Sequence, residues 1–147
     1  MARPLKAVSK AYPSVIKYLS EAEVIAINEE MVAKYGGLHG VKDLNLLSLA
    51  VGRPQMSVGF QDAYKSIFDK AAAMFHSIIN NHPFLDGNKR SSLFSAVLFL
   101  EYNGWQVEFK RKEAVKFTMR AHNYDWTVEQ ISAWLKDHSK KYHTPKV

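Results

Sequence analysis

The chain contains no cysteine. Disulfide cross-links, thiolate metal sites and thiol nucleophiles are therefore excluded, and a reducing, cytoplasmic setting is expected. It also lacks a long apolar run. The longest central stretch, Leu93 to Leu100, is too short to cross a bilayer, so no membrane association is expected. Basic residues near the start (Arg3, Lys6, Lys10) precede no uninterrupted apolar segment, which argues against a secretory signal. There is no internal repeat, low-complexity tract or long linker.

What is present suits one compact domain. The chain has 147 residues, of which 47% are hydrophobic and 12% aromatic, enough to build a core. The formal charge of +6 looks like a nucleic-acid signal until it is divided along the chain. Residues 1–17 hold four basic groups and no acidic one, and residues 136–147 hold four against one. Between them, twelve basic groups face thirteen acidic ones. The excess sits at the ends, where solvated termini are the ordinary explanation, and nucleic acid is not an expected partner. The expected organisation is an N-terminal arm at 1–19, a domain at 20–141 and a basic tail at 142–147.

The elements read as almost entirely helical. Ser20 three residues before Glu23 forms a capping-box start. The helix that follows carries Val24, Ile27, Met31 and Tyr35 on one side and stops at Gly36-Gly37. Asp43 caps a short helix over 44–51, which Gly52 closes. Residues 53–63 lack a helical period and read as a loop or small β-hairpin. Tyr64, Ile67, Phe68, Ala71, Ala72, Phe75, Ile78 and Ile79 then follow the spacing of a helix with one buried face. It ends before His82-Pro83, because a residue preceding proline is pushed out of the helical region. The next helix, from about Asn88 to Tyr102, is apolar nearly all round and so central, and Asn103-Gly104 ends it. Gln106 to Phe109 reads as a short extended piece, and Lys112 to about His122 as a helix. Thr127 with Gln130 is a second capping box, opening a helix with Val128, Ile131, Trp134 and Leu135 inward. The predicted fold is an all-α, compact bundle of six or seven helices with a small β-hairpin.

The chemistry concentrates in the loop between the two most apolar helices, His82-Pro83-Phe84-Leu85-Asp86-Gly87-Asn88-Lys89-Arg90. Polar groups lodged there are either paired or used. Gly87 lets a ligand approach the backbone. Asn88, Lys89 and Arg90 begin the central helix, whose first N–H groups lack intrahelical partners and carry the positive end of the dipole. That is an anion site with phosphate as its common occupant. Arg90 adds a fork-shaped cation and Lys89 a point charge. Asp86 beside such a nest suits Mg²⁺, which takes one or two carboxylates along with phosphate oxygens and waters. His82, four residues before Asp86, can accept a hydroxyl proton near neutral pH. Each residue alone has an ordinary use: His82 as a core histidine, Asp86 as a helix cap, Arg90 as a surface charge. Five such residues and a glycine within nine positions point to phosphoryl-group chemistry.

This loop resembles the motif of the Fic/Doc family, His-x-Phe-x-(Asp/Glu)-Gly-Asn-x-Arg, with His82, Phe84, Asp86, Gly87, Asn88 and Arg90 in order. The closer likeness is to the Doc ("death on curing") branch, toxins of toxin–antitoxin pairs, which has lysine where Fic adenylyltransferases have a second glycine. Lys89 is that lysine. The segments Lys34-Tyr35-Gly36-Gly37 and Gly52-Arg53-Pro54-Gln55 are also similar, and the likeness covers roughly 20–135. It implies the Fic fold and an enzyme acting on ATP with Mg²⁺. His82 would be the base and Phe84 the anchor of the loop in the core. Asp86 would bind the metal and orient the acceptor, while Gly87, Asn88, Lys89 and Arg90 would hold the phosphates. Pro54, Gln55, Met56, Ser57, Val58, Gly59 and Phe60 would form most of a flap over 54–63 that docks the target backbone as an added strand. The Doc branch transfers the γ-phosphate to a threonine of translation elongation factor Tu and stops translation. Two departures from the adenylyltransferases, Leu93 where they have a further arginine and Lys89 for glycine, also favour Doc. The Doc branch itself has alanine in place of Gly87. The inhibitory helix of many relatives, Ser/Thr-x-x-x-Glu-(Gly/Asn), has no match, because no glutamate here follows serine or threonine by four residues. An antitoxin acting in trans is the expected regulator.

Other classes compete with this reading. Transfer of AMP is the nearest alternative. An RNA-binding or RNA-cleaving toxin would use Lys110-Arg111-Lys112 with His82 or His122, but no recognition helix emerges. A metal site at His76 and His82 is weak, since a spacing of six does not share a helix face. Trp105, Trp126 and Trp134 read as packing residues and His39 as solvated.

Overall fold

The computed structural model describes residues 15–141. Half of the basic groups expected at the two ends (Arg3, Lys6, Lys10 and Lys146), and the tail at 142–147, lie outside the described residues. Six α-helices are present among them: α1 (Glu21–Tyr35), α2 (Leu44–Gly52), α3 (Ile67–Asn81), α4 (Asn88–Tyr102), α5 (Arg111–Asn123) and α6 (Val128–Asp137). Two small antiparallel ribbons complete the fold: β1 (Ser57–Val58) with β2 (Gln61–Asp62), and β3 (Trp105–Val107) with β4 (Ser139–Lys141). The all-α bundle with a β-hairpin is thus as expected. No helix among the described residues is long and apolar enough to cross a membrane.

Local chemistry sets the helix starts. Ser20 accepts from Glu23 N and Glu23 Oε1 accepts from Ser20 N, the expected capping box. Asp43 Oδ1 accepts from Leu46 N, and Thr127 with Gln130 closes the second box. Some ends differ from expectation. Gly36 has φ 91 and ψ 169, so the chain leaves α1 in an extended glycine conformation rather than the left-handed helical one. Gly52 does not close α2: its backbone stays right-handed and the chain runs on into a 3₁₀ turn, Arg53–Gln55. Tyr64 precedes α3, which Ser66 caps by accepting from Asp69 N. The extended piece predicted at 106–109 is β3 at Trp105–Val107. Its partner β4 carries no alternation of apolar and polar residues, and pairing alone defines it.

α3 and α4 form the centre. Phe75, Ile78 and Ile79 of α3 and Ala96, Phe99 and Leu100 of α4 are fully buried, with Phe117 of α5 and Ile131 and Leu135 of α6 packed around them. Every residue of α4 from 91 to 100 is buried or half-buried, as a central helix requires. Three of these are serines, Ser91, Ser92 and Ser95, whose small side chains let neighbouring helices come close. The tryptophans are packing residues: Trp105, Trp126 and Trp134 lie against the core, with Trp134 stacked on Phe117 at 3.9 Å. His39 is exposed, as expected. The end of the expected arm is docked. Leu19 is buried, Ile16 and Tyr18 pack against the core, and Asn103 ties residue 17 down through its N–H and carbonyl.

Candidate active site

The loop 82–87 joins the C-terminus of α3 to the N-terminus of α4, so its ends are held by the two helices that own most of the core. His82 terminates α3 with φ 51 and ψ 62, a left-handed conformation in a residue with a Cβ. That conformation costs roughly 1–2 kcal/mol, and the fold around the loop must hold it in place. Pro83 is buried, and its carbonyl accepts from both Lys42 N and Asp43 N. Phe84 is 1% exposed and bridges to Val41, and Leu85 N donates to Gly40 O. Phe84 therefore lies within the core cluster. The segment from Gly37 to Asp43 forms a brace laid along the outside of the loop.

Asn88 spans the loop from within. Its Oδ1 accepts from Phe84 N and its Nδ2 donates to Phe84 O, both at 3.0 Å. The Asn88 side chain is thus committed to the loop's own backbone, which leaves its N–H for a ligand. Gly87 caps α4 in the left-handed region (φ 76), and the first helical bond runs from Ser91 N to Gly87 O. A left-handed residue followed by helical ones turns successive N–H groups to one side, an anion-binding concavity. The glycine itself meets α1 rather than a ligand. A Cβ there would lie 3.2 Å from Asn28 Nδ2 and 3.3 Å from Val32 Cγ2, so alanine fits only if both give by a few tenths of an ångström.

Asp86 does not cap α4. Its Oδ2 accepts from Leu38 N at 2.6 Å, and a Cβ on Gly37 would come within 2.8 Å of the Asp86 Cβ. Gly37 is what allows this approach. One carboxylate oxygen is thus fixed by the brace. Among the described residues no group of three or more histidines or acids is placed to hold a metal. Asp86 offers the single carboxylate that a phosphate-borne Mg²⁺ needs from a protein, and the chain's fit to that ion rests on it.

The cations sit outside. Lys89 and Arg90 are exposed, and the Arg90 guanidinium lies 4.1 Å above the ring of Tyr35, with Arg111 at 6.0 Å from the same ring. Tyr35 was expected on the buried side of α1. It is half-exposed because the last turn of α1 runs past the core, where Arg90 takes its ring. Beside Arg90 opens a cavity of about 350 Å³ walled by Tyr35, Phe94, Phe109 and Arg111 among others. A larger concavity of about 680 Å³ runs along the outer face of α5 and touches none of the loop residues. Of the two, the one at Arg90 adjoins the loop.

Sequence reasoning passed over Asn28 and Lys70 and left His122 only as an alternative. Asn28 occupies the buried stripe of α1 with Val24, Met31 and Val32, and its Nδ2 donates to Asp86 O (2.8 Å) and Ser91 Oγ (3.0 Å). A polar residue at a core position of an apolar stripe was the available signal. The His122 ring stands 5.3 Å from that of His82, and its Nδ1 is buried without a partner among the described residues. His76 makes no site with His82. Its Nδ1 accepts from Arg53 Nη1 at 2.9 Å, and burial, followed by the Arg53 charge, holds its pKa below the ordinary value. Lys110-Arg111-Lys112 is the start of α5, as a polar helix start should be.

The expected flap is a hairpin. β1 and β2 pair through Ser57↔Asp62 and Val58↔Gln61 around Gly59-Phe60, with positive φ at Gly59, as a tight hairpin turn requires. Met56, Val58 and Phe60 are exposed. The stem sits on α3, the helix that ends at His82. Arg53 donates to Tyr64 OH, Ala73 O and Ser77 Oγ as well as to His76.

Comparison with known proteins agrees with this architecture. A family model described as Fic/DOC family matches residues 18–100. The chain is 41% identical to a protein named Toxin Doc from Mycolicibacterium smegmatis over 121 residues, covering 81% of this chain and 91% of that one. It is 31% identical to Protein kinase doc of Escherichia phage P1 over 121 residues, covering 82% of this chain and 94% of the other. With the motif loop between α3 and α4, a match over more than half its length and relatives aligned nearly end to end, this chain belongs to the Fic/DOC family.

Proposed function

We propose that the protein is a Doc-like toxin that transfers the γ-phosphate of ATP to a serine or threonine hydroxyl of a target protein, with elongation factor Tu as the target by resemblance. The observation that carries this reading is the loop 82–90. It combines a braced carboxylate, unpaired N–H groups at a helix start, an arginine fork and an imidazole on a single rigid turn. The names of the two relatives, a toxin and a protein kinase, support it.

The N–H groups of Gly87, Asn88 and Lys89 would bind phosphate oxygens with little reorganisation, because the loop is already fixed. Arg90 would take a further oxygen through its fork, and the aromatic cavity beside it would receive the nucleoside. Mg²⁺ held at Asp86 would neutralise phosphate charge. His82 would accept the acceptor's hydroxyl proton as the oxygen bonds to the γ-phosphorus and the bond to the β-phosphate oxygen breaks, leaving ADP. An antitoxin in trans would restrain the activity, and the cytoplasm would be the place of action.

The test incubates the purified protein with elongation factor Tu and ATP labelled on either the γ- or the α-phosphate. Incorporated γ-label is the expected result, and α-label would replace phosphate transfer by AMP transfer. His82→Ala should abolish labelling while the thermal midpoint stays near that of the wild type. Equal labelling by that variant would remove His82 as the base.

A further inference from the structure

We propose that Lys70 is the positioning residue of the flap, a buried clamp that holds the hairpin at the angle from which it docks an acceptor chain. The inference rests on the reading of residues 54–63 as the acceptor-docking flap.

Lys70 lies on α3 and is 0% exposed, the one charged side chain buried among the described residues. Its Nζ donates to Pro54 O at 3.2 Å and to Asp62 Oδ2 at 3.1 Å, and lies 5.9 Å from the centre of the Tyr18 ring. Pro54 stands where the chain enters the hairpin and Asp62 where it leaves. One ammonium therefore grips both legs.

The hairpin needs such a grip. Its strands have two residues each, and a lone two-stranded ribbon is marginal in water even when longer. Residues 57–62 are all exposed, so the hairpin has no apolar packing to fix its angle. The bond from Ala63 N to Met56 O closes the stem but does not join it to the body. Arg53 ties down the entering side and, through Tyr64 OH, the chain two residues beyond the leaving strand, but touches neither strand itself. Lys70 is the group that joins the leaving strand to α3. The same helix ends at His82, twelve residues on, so one rigid rod of about 18 Å sets flap and base relative to each other.

A buried ammonium is a poor choice for stability alone, because an apolar side chain of similar size commonly does as well or better. At Lys70 the geometry of the contacts explains the charge. It reaches a carbonyl and a carboxylate on two separate segments, which no apolar side chain could fix in register.

Lys70→Met in the full chain tests this, with two readouts. Hydrogen exchange of flap amides 57–63 should speed up by about tenfold or more, while amides of α3 and α4 keep their protection. In the labelling assay, KM for elongation factor Tu should rise by about tenfold while affinity for ATP stays within about twofold. Asp62→Ala, whose side chain is outside the core, should loosen the flap in the same way and decides the matter if Lys70→Met does not fold. Asp62→Asn keeps an oxygen acceptor and should recover most of the protection. Unchanged flap exchange in the folded variant overturns the clamp. Faster exchange with an unchanged KM overturns its role in positioning the acceptor. If wild-type protein labels no elongation factor Tu, the functional reading fails, and the exchange data still decide the clamp.

Discussion

Replacing Asn28 with alanine should injure the site from a distance. Asn28 sits on α1, 1% exposed, and its amide donates to the Asp86 carbonyl and to Ser91 Oγ, which is itself buried. Each bond is worth about 0.5–1.5 kcal/mol net, and stranding a buried acceptor adds a desolvation penalty of about 1–3 kcal/mol. Allowing for partial relaxation, the loss should be about 2–4 kcal/mol. Against a typical total of about 5–15 kcal/mol the variant stays folded. Urea titration followed by tryptophan fluorescence gives the free energy by linear extrapolation. Because the lost bond held the peptide just before Gly87, the proposed phosphate transfer should drop far more than the small unfolded fraction explains. A double-mutant cycle with Ser91→Ala should show a coupling of about 0.5–1.5 kcal/mol. A cost below about 0.5 kcal/mol with full transfer activity would refute the claim that α1 braces the loop.

Two further outcomes follow from the geometry. Arg90→Lys removes both the fork and the stack on Tyr35, and calorimetry with a non-hydrolysable ATP analogue should show affinity down by about tenfold. Equal binding would place Arg90 outside the phosphate site. Acidification should cost stability through His76. Its folded pKa lies below the ordinary value of 6.5, so its contribution is complete above that pH and is lost as pH falls through the folded pKa. Thermal melts should therefore fall from pH 6.5 downward, and His76→Gln should flatten that slope. The carboxyls of Glu23 and Glu113, lowered by bonds from Tyr102 and from the Lys110 N–H respectively, act only below their ordinary 4.5. They leave the histidine window clear, and an unflattened slope in His76→Gln would contradict the assignment.

The site is an assembly of three supports around one turn. α3 and α4 hold its ends, and the stretch from Gly37 to Asp43 lies along its outside and fixes Asp86. α1 holds the turn through Asn28. Phe84 buried on one side and the left-handed His82 on the other belong to the same arrangement. A residue held in an unfavourable backbone state persists only where its surroundings over-determine it, and functional turns are where that commonly occurs.

Much of this was legible before any coordinates, and the reason is distance along the chain. Capping boxes at Ser20 and Thr127, the stripe of α3 and the motif at 82–90 involve residues within a few positions of one another. Helix formation and the unpaired N–H groups at a helix start depend on that local spacing. The contacts that make the motif a site join residues far apart: Asn28 to Asp86, 58 positions on, and Asp86 to Leu38, 48 positions back. The same is true of β4, which has no pattern of its own, and of Tyr35, whose exposure depends on where α1 outruns the core. Local sequence fixes which φ and ψ a segment prefers. Which buried polar group meets which partner depends on how the helices pack, because the partner exists only once they have closed on each other.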